Sequence, residues 1–259
     1  MEAAISSLLF KSRPLAEAID LTRDKGISWL EVWTEHFWRD DDGSLLTKLK
    51  KSGLDLSVHG PIGDINITSS NRGIREESSR QVIQGIEEAA AMGARVITIH
   101  PGYLTGRQDL PEEIWSLQVE AFTRFAQRGK DLGVLIGMET MERRNKEVVI
   151  HPEIANQIID AVNMENFGAT FDISHAHTVM DVVEFIYALR KIVHIHISDT
   201  KNGKVHVQMG EGEIAFGPVL EAVKQKYDGA LVIEGWNRRD EKGMVEKSTA
   251  FLNAHLEKI

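Results

Sequence analysis

The strongest constraint on the fold is the alternation of short apolar runs with amphipathic stretches along the whole chain. Eight runs of β-strand character are each followed by a stretch in which apolar residues recur at helical spacing. Strands that alternate with helices of this length form a parallel sheet, because each helix returns the chain to the start of the next strand. Eight such units predict a single α/β domain over residues 1–259, a (β/α)8 TIM barrel.

The predicted elements have the following bounds. The eight strands are expected at residues 3–10, 28–34, 54–59, 95–100, 134–140, 167–173, 194–198 and 230–234. The helices are expected at residues 14–25, 45–52, 76–92, 112–132, 152–162, 179–191, 218–226 and 242–258. Residues 35–39, 60–75 and 199–217 are expected to be loops. A doubly wound open sheet is the alternative fold, but it usually carries a glycine-rich loop after its first strand, and residues 6–13 contain no glycine.

The composition argues against several classes of protein and of functional site. The net charge of −9 disfavours a phosphate-tracking surface, and no apolar run reaches membrane-spanning length. Cysteine is absent, which excludes disulfides, thiolate metal ligands and a cysteine nucleophile. The absence of cysteine and of a basic start typical of signal peptides fits a cytoplasmic protein without membrane attachment.

A polar side chain stands at the end of each of six consecutive strands, the third to the eighth. They are His59, His100, Glu139, Asp172, His196 and Glu234, and His175 follows shortly after Asp172. In a TIM barrel these strand ends face one mouth, where the chemistry takes place. For a single strand end, a helix-capping Asp beside a surface His is an equally good interpretation. Six strand ends together indicate a metal centre, because a divalent ion offsets carboxylate charge and binds neutral imidazole.

The seventh strand offers two histidines on the same face. His194 and His196 are two residues apart, so both can point into the barrel at different depths. His196 is nearer the mouth and is the better candidate ligand. His194 is expected in the core or behind the ligands.

Taken together, these residues resemble the xylose isomerase-like TIM-barrel superfamily. That superfamily includes the sugar phosphate isomerase/epimerase group and the endonuclease IV family of abasic-site DNA repair enzymes, and the resemblance runs from about the second strand to the eighth. In the sugar enzymes one divalent ion (Mn, Co, Mg or Zn) is held by residues that correspond here to Glu139, Asp172, His196 and Glu234. The endonucleases hold three zinc ions with further ligands, and the matching positions here are His59, His100, His175 and His206.

One position departs from the endonuclease pattern. The endonucleases have an Asp two residues before the last His, whereas this chain has Lys204 before His206. A cation there opposes a third metal ion through charge repulsion. We therefore expect one metal site, a second that uses His59, His100 and Glu139 as an open possibility, and no third. The four histidines can equally contact substrate hydroxyls.

The resemblance implies two mechanisms. In the first, an isomerase or epimerase of a small sugar or sugar phosphate moves a proton through a metal-stabilised enediolate, with Glu139 and Glu234 as the catalytic acid and base. Trp33, Trp38 and Trp236 are candidate pocket walls, although Trp33 better suits packing between barrel and helix. In the second, a zinc phosphodiesterase acts on abasic DNA with Glu139 bridging two ions. A barrel that binds metal and ligand without turnover is a third reading, which the two glutamates disfavour.

Three cationic loops follow the strands and face the expected mouth. They contribute Arg143, Arg144, Lys201, Lys204 and Arg238 as candidate anion-binding residues. Each loop alone is equally well explained as solvated surface charge. Together they favour an anionic, sugar-like substrate, and nucleic acid only for the endonuclease alternative. The isomerase or epimerase is the preferred prediction, while the sequence specifies neither the sugar, the metal nor the oligomeric state.

Overall fold

Eight parallel strands close into a barrel in the computed structural model, which describes residues 1–259. The barrel strands are β1 (Glu2–Ser6), β2 (Trp29–Trp33), β3 (Asp55–His59), β4 (Val96–Ile99), β5 (Leu135–Glu139), β6 (Phe167–Asp172), β7 (Ile192–Ile197) and β10 (Ala230–Ile233), while β8 (Asp199–Lys201) and β9 (Lys204–Val207) form a separate hairpin. Around the barrel the order is β1-β10-β7-β6-β5-β4-β3-β2, and pairing of β1 with β10 closes the sheet. The predicted TIM barrel is confirmed.

Helices surround the barrel and cover its apolar outer face. They are α1 (Leu15–Asp24), α2 (Thr34–Asp40), α3 (Leu45–Lys51), α4 (Arg72–Met92), α5 (Pro111–Leu132), α6 (Pro152–Val162), α7 (Ile173–His177), α8 (Val182–Ala188), α9 (Phe216–Lys224) and α10 (Glu241–Leu256). The packing of α5 is representative, since its buried Phe122 lies 5.2 Å from the ring of Phe167 in β6. None of the helices combines the length and the apolar composition that a bilayer span requires.

Two predicted boundaries near the N-terminus were wrong. The first strand ends at Ser6, and a 3-10 helix, Ser7–Phe10, follows because the Ser6 side chain accepts a hydrogen bond from the Leu8 N–H. Residues 35–39, expected to be a loop, belong to α2. This short helix buries Thr34, His36 and Phe37, and that tertiary packing outweighs a weak local helical signal.

The expected helix over residues 179–191 is shorter than predicted, and a separate short helix that was not predicted precedes it. The first, α7, begins directly after β6 because the side chain of Asp172 accepts a hydrogen bond from the His175 N–H, 2.8 Å away. The second, α8, covers only Val182–Ala188. The early start of α7 places His175 inside the barrel mouth rather than on a surface loop.

The β8–β9 hairpin occupies part of the stretch predicted as a loop over residues 199–217. Its turn is Asn202-Gly203, and both residues have positive φ, 51° and 73°. An Asn-Gly pair favours the two-residue turn that matches the twist of antiparallel strands, so the local signal for this hairpin is present in the sequence. The hairpin brings His206 over the mouth of the barrel.

A single buried carboxylate organises the chain after β7. The two oxygens of Asp199 accept hydrogen bonds of 2.8 to 3.1 Å from the backbone N–H groups of Thr200, Gly210, Gly212 and Ile214. Gly212 approaches so closely that a Cβ there would lie 2.2 Å from Asp199 Oδ1. The loop therefore folds around this carboxylate, which fixes the hairpin relative to the barrel.

Replacing Asp199 by Ala is expected to lower the free energy of unfolding by about 3 kcal/mol, because buried N–H groups lose a charged acceptor. Urea denaturation measures the change. The control is Asp228→Ala, which removes an exposed carboxylate and is expected to stay within about 0.5 kcal/mol of the parent. Equal stability of the two variants would contradict the anchoring role of Asp199.

Candidate metal centre

The strand ends bring the predicted site residues together at the C-terminal mouth of the barrel. The residues concerned are His59, His100, Glu139, Asp172, His175, His196, His206 and Glu234. Six of them are buried, with at most 4% of their surface exposed, whereas His100 and His206 are partly exposed. So many ionisable groups in one buried place require mutual compensation.

One group of side chains surrounds the inner end of the mouth. The potential ligand atoms of His59, Glu139, His196 and Glu234 all lie within 4.8 Å of one another. His196 Nδ1 is central, 2.8 Å from Glu234 Oε2 and 3.2 Å from Glu139 Oε1. His100 extends the group outward, because its Nε2 lies 2.8 Å from Glu139 Oε2.

A second group lies beside the first, under the hairpin. It consists of Asp172, His175 and His206, whose ligand atoms also lie within 4.8 Å of one another. His175 connects the groups, since its Nδ1 is 3.8 Å from Glu139 Oε1. The sequence grouped Asp172 with Glu139, His196 and Glu234, but its free oxygen lies nearer to His175, 3.9 Å from Nε2.

The backbone fixes which imidazole nitrogens face the centre. His59 Nδ1 lies 2.9 Å from the carbonyl oxygen of Gly60, and His175 Nδ1 lies 2.9 Å from that of Thr140. A carbonyl can only accept, so Nδ1 must carry the proton and, in the neutral ring, Nε2 keeps its lone pair. Each Nε2 faces carboxylates of the centre, as a metal ligand must.

Two observations show that these residues fit a divalent metal ion. Asp172 Oδ1 accepts hydrogen bonds from Ser174 Oγ and the His175 N–H, while the buried Oδ2 has no hydrogen-bond partner. In addition, Nε2 of His175 and Nε2 of His206 lie only 3.1 Å apart, so a proton or a cation must separate their lone pairs. The donors are imidazole nitrogens and carboxylate oxygens, a set suited to Zn, Mn or Co.

Without a metal ion, the histidines carry the compensating positive charge. Burial opposes protonation of His59, but the hydrogen bond and charge of Glu139 outweigh it and raise the pKa of His59 to about 9. Burial is likewise outweighed at His175, where the charges of Asp172 and Glu139 raise the pKa to about 9. The pKa of His196 also rises well above 6.5, against burial, because the charges of Glu31 and Glu234 favour the imidazolium.

The same contacts keep the two proposed catalytic carboxylates ionised. Burial would raise the pKa of Glu234, but the charge and hydrogen bond of His196 outweigh it and lower this pKa to about 2. At Glu139 the effect of burial is outweighed by the charge and hydrogen bond of His100, which lower the pKa well below 4.5. Both groups are therefore anionic at neutral pH.

Two acidic residues of the mouth were not predicted from the sequence. Glu31 in β2 is fully buried, 2.8 Å from His194 Nε2 and 3.1 Å from His196 Nε2. The signal for Glu31 was a charged residue in the middle of the apolar run Trp29–Trp33, a position that requires a buried partner. Glu142 lies 3.5 Å from His175 Nε2, and no local pattern distinguished it from an ordinary loop glutamate.

The five candidate anion-binding residues differ in their surroundings. Arg143 donates hydrogen bonds to the carbonyl oxygens of Thr178 and Val179, and Arg144 forms an ion pair with Glu142. Both guanidinium groups are thus already bound by other groups of the protein. The remaining three, which are exposed and form no ion pair, are Lys201, Lys204 and Arg238.

The three tryptophans singled out in the sequence also occupy different places. Trp33 packs its ring against His59 at 4.7 Å, so it does line the centre. Trp236, 42% exposed, stands at the rim and donates a hydrogen bond from Nε1 to Glu241. Trp38 instead donates to Glu88 of α4. The expectation that Trp38 walls the pocket has no support in these contacts.

Comparison with known proteins agrees with this architecture. A family model described as a xylose isomerase-like TIM barrel matches residues 19–255. An uncharacterized protein from Methanocaldococcus jannaschii is 30% identical over 99% of this chain and 90% of its own length. A solved structure, a D-tagatose 3-epimerase-like protein, has a TM-score of 0.87 and 28% identity, covering 100% of this chain and 99% of that one. A probable endonuclease 4 from Ureaplasma parvum is 27% identical over 68% of this chain and 63% of its own length.

Uptake of Zn²⁺ is expected to release protons at pH 7, because an imidazole must be neutral to ligate and His59 stays protonated up to about pH 9 in the metal-free protein. The apparent affinity should therefore increase as the pH rises from 7 to about 9. Calorimetric titration in buffers of different ionisation enthalpy counts the protons. His255→Gln, on α10 and outside the centre, should leave the count unchanged.

In the metal-free protein the same charge makes stability depend on pH. Since the pKa of His59 is raised on folding from 6.5 to about 9, its contribution to the free energy of unfolding is fully present below pH 6.5 and is lost as the pH rises through about 9.

For the zinc titration, an apparent Zn²⁺ affinity that does not change between pH 7 and 9, with no release of protons, would contradict the protonated state assigned to His59.

Proposed function

The chain belongs to the xylose isomerase-like TIM-barrel family, and we propose that it is a divalent-metal-dependent epimerase or isomerase of a small sugar. The similarity to a D-tagatose 3-epimerase-like protein, at 28% identity over the whole chain, supports a sugar substrate and a reaction of this general class. The geometry of two glutamates supports the reaction type. Because many activities share the barrel fold, the fold alone does not indicate the reaction, and the support comes from these two glutamates.

The observation that carries the proposal is the position of Glu139 and Glu234 on either side of His196. Glu139 ends β5 and Glu234 follows β10, and in the barrel these strands are separated by β6 and β7. Both carboxylates nevertheless reach His196 Nδ1, at 3.2 and 2.8 Å. They therefore enter the same small space from two sides, as two groups that act on opposite faces of the same carbon must.

The proposed ion would be held by Glu139, His196 and Glu234, with Asp172 and His59 as the adjoining donors. When bound, a divalent ion supplies a Lewis acid that polarises the substrate carbonyl and makes the neighbouring C–H more acidic. Trp33 closes this space on one side, because its ring lies against His59. Exclusion of water strengthens electrostatic interactions within the pocket.

The chain's own groups then move the proton. One of the two anionic carboxylates accepts the proton from the carbon next to the carbonyl and becomes a carboxyl group, which can return that proton to the same face. For return to the opposite face, the other carboxylate must first take up a proton from solvent. Return to the opposite face inverts that carbon, and the two-sided approach of Glu139 and Glu234 favours this epimerisation. Return to the neighbouring carbon gives isomerisation, for which one carboxylate suffices.

Other mouth residues are proposed to hold the substrate. His100, whose side chain is 32% exposed, can reach a sugar hydroxyl while its Nε2 remains near Glu139. Lys201, Lys204 and Arg238 are the exposed, unpaired cations of the neighbouring loops. They are the groups that would favour a phosphorylated or acidic sugar over a neutral one.

An endonuclease IV-like phosphodiesterase is the second candidate. The group of Asp172, His175 and His206 favours it, because it offers ligands for a further ion beside the first group. The similarity to a probable endonuclease 4 points the same way. The net charge of −9 and the exposed Lys204 two residues before His206 oppose a polyanionic substrate bound through additional metal ions.

The decisive experiment pairs two assays on one metal-loaded preparation. Solvent deuterium exchange into a panel of ketoses, with and without a terminal phosphate, is expected for the parent protein. Glu139→Gln and Glu234→Gln should each reduce exchange by at least about 100-fold, because the amide cannot accept the proton. Metal content is measured on every variant, so that a lost ion is distinguished from a lost base.

Glu257→Gln, which removes an exposed carboxylate near the C-terminus, serves as the control and should exchange at the parent rate. The same preparations are incubated with an oligonucleotide that contains one abasic site. Strand nicking without any deuterium exchange, lost in Glu234→Gln, would overturn the sugar proposal in favour of the phosphodiesterase.

A further inference from the structure

We propose that Glu31 is a positioning residue that orients His196, and that His194 in turn holds Glu31 in place, an inference that rests on the proposed metal-dependent function. Glu31 lies below the centre, on the opposite side of His196 from Glu139 and Glu234. Its role is to accept the Nε2 proton of His196 and so leave the Nδ1 lone pair free for the metal ion.

The distances define this arrangement. His196 Nε2 lies 3.1 Å from Glu31 Oε1 and 3.3 Å from Glu31 Oε2, while Nδ1 faces the two other glutamates. The ring is thus held at both nitrogens, and the imidazole cannot rotate without losing one set of contacts. Glu31 and His196 are both 0% exposed, so water cannot replace either partner.

A carboxylate behind a histidine determines which nitrogen carries the proton. A carboxylate only accepts, so the nitrogen that faces Glu31 must be N–H. The opposite nitrogen of the neutral ring then presents its lone pair to the centre, with the carboxylate making it a stronger donor to a metal. When the His196 imidazolium gives up one proton to a metal ion, the contact with Glu31 thus keeps the remaining proton on Nε2 and frees the Nδ1 lone pair.

His194 explains how Glu31 stays in place. His194 Nε2 lies 2.8 Å from Glu31 Oε2, and the Ser57 hydroxyl lies 3.2 Å from the same oxygen. The contact with His194 crosses the barrel interior between β2 and β7, which are not neighbouring strands, whereas Ser57 lies on β3 next to β2. The second histidine of the seventh strand therefore acts through Glu31 rather than on the substrate or the ion.

Glu31, His194 and His196 also satisfy the distance criterion for a metal site of their own, within 4.8 Å. Their contacts argue for hydrogen bonding instead. His194 Nε2 and His196 Nε2 lie 2.8 and 3.3 Å from the same oxygen, Glu31 Oε2, and both contacts have hydrogen-bond geometry. The Ser57 hydroxyl also donates to this oxygen, so three donors of the protein already face it. A buried ion there is a distinct outcome of the test below.

The test measures zinc affinity by competition with a chromophoric chelator and counts bound ions per chain. Glu31→Gln should bind Zn²⁺ about 10- to 100-fold more weakly, because the amide is neutral and puts an NH2 donor in place of one of the two oxygens that face His196 Nε2. Thr98→Val is the matched control, since it removes another buried hydrogen bond inside the barrel, to Thr170, without touching His196. It should bind within about twofold of the parent.

A pair of substitutions tests the support from His194. His194→Gln keeps an N–H donor toward Glu31 and should largely retain zinc affinity, whereas His194→Leu removes the donor and should weaken binding several-fold. Equal affinities for the two variants would overturn the role assigned to His194. Thermal unfolding of each variant verifies that the comparison is made between folded proteins.

Nitrogen-15 NMR of the zinc-bound parent protein tests the tautomer without any substitution. His196 should show a protonated Nε2 and a metal-bound Nδ1. Zinc bound through Nε2 would overturn the proposal, as would parent-like affinity of folded Glu31→Gln or an additional ion that is lost in that variant.

Failure of this inference is distinguishable from failure of the proposed function. A parent protein that binds zinc but exchanges no deuterium would contradict the sugar reaction alone, and the expected loss of affinity in Glu31→Gln would still support the positioning role. A parent that catalyses exchange while Glu31→Gln binds zinc normally would overturn the positioning role alone. A parent that binds no divalent ion would overturn both.

Discussion

Four carboxylates buried in one barrel mouth are the constraint on which the rest of the site depends. Glu31, Glu139, Asp172 and Glu234 are each at most 4% exposed, and an isolated buried carboxylate is strongly destabilising. The barrel compensates with imidazoles placed on neighbouring strand ends. Each imidazole can carry a proton when no ion is bound and can give it up to become a ligand. The charge balance of the mouth thus allows protons to be exchanged for a metal ion.

This requirement explains why most of the buried charged residues lie at the ends of otherwise apolar strands, whereas Glu31 and His194 lie within β2 and β7. The lower parts of the strands and the inner faces of the helices form an extensive hydrophobic cluster, which supplies the stability that the charged mouth does not. β7 shows the division in one strand, because His194 and His196 alternate with the buried Ile195 and Ile197. The fold can hold this buried charge because its cost is localised at one end of the barrel.

The architecture was predictable because its signals are local. Strand and helix periodicities repeat within ten to twenty residues, and a TIM barrel then places the strand ends in one mouth without further information.

Contacts between distant segments were not predictable in this way. Glu31 and His194 are 163 residues apart in the chain, and only closure of the barrel brings them to 2.8 Å. The position of α7, which turns His175 inward, likewise depends on the capping oxygen of Asp172. The Asn202-Gly203 turn is different, because the sequence contains a local signal for a hairpin there although residues 199–217 were predicted to be a loop.

The two candidate functions differ in what separates Nε2 of His175 from Nε2 of His206. A metal ion there extends the centre toward phosphodiester hydrolysis, whereas a proton leaves one ion and two groups that can bind sugar hydroxyls. The 3.1 Å separation is a hydrogen-bond distance, so a single proton can lie between the two nitrogens. The pKa of His175, raised to about 9 by Asp172 and Glu139 against the effect of burial, supplies the proton. Lys204, exposed on the same hairpin two residues before His206, adds positive charge to this hairpin. The geometry around His175 therefore favours the sugar enzyme through the same charge balance that shapes the rest of the mouth.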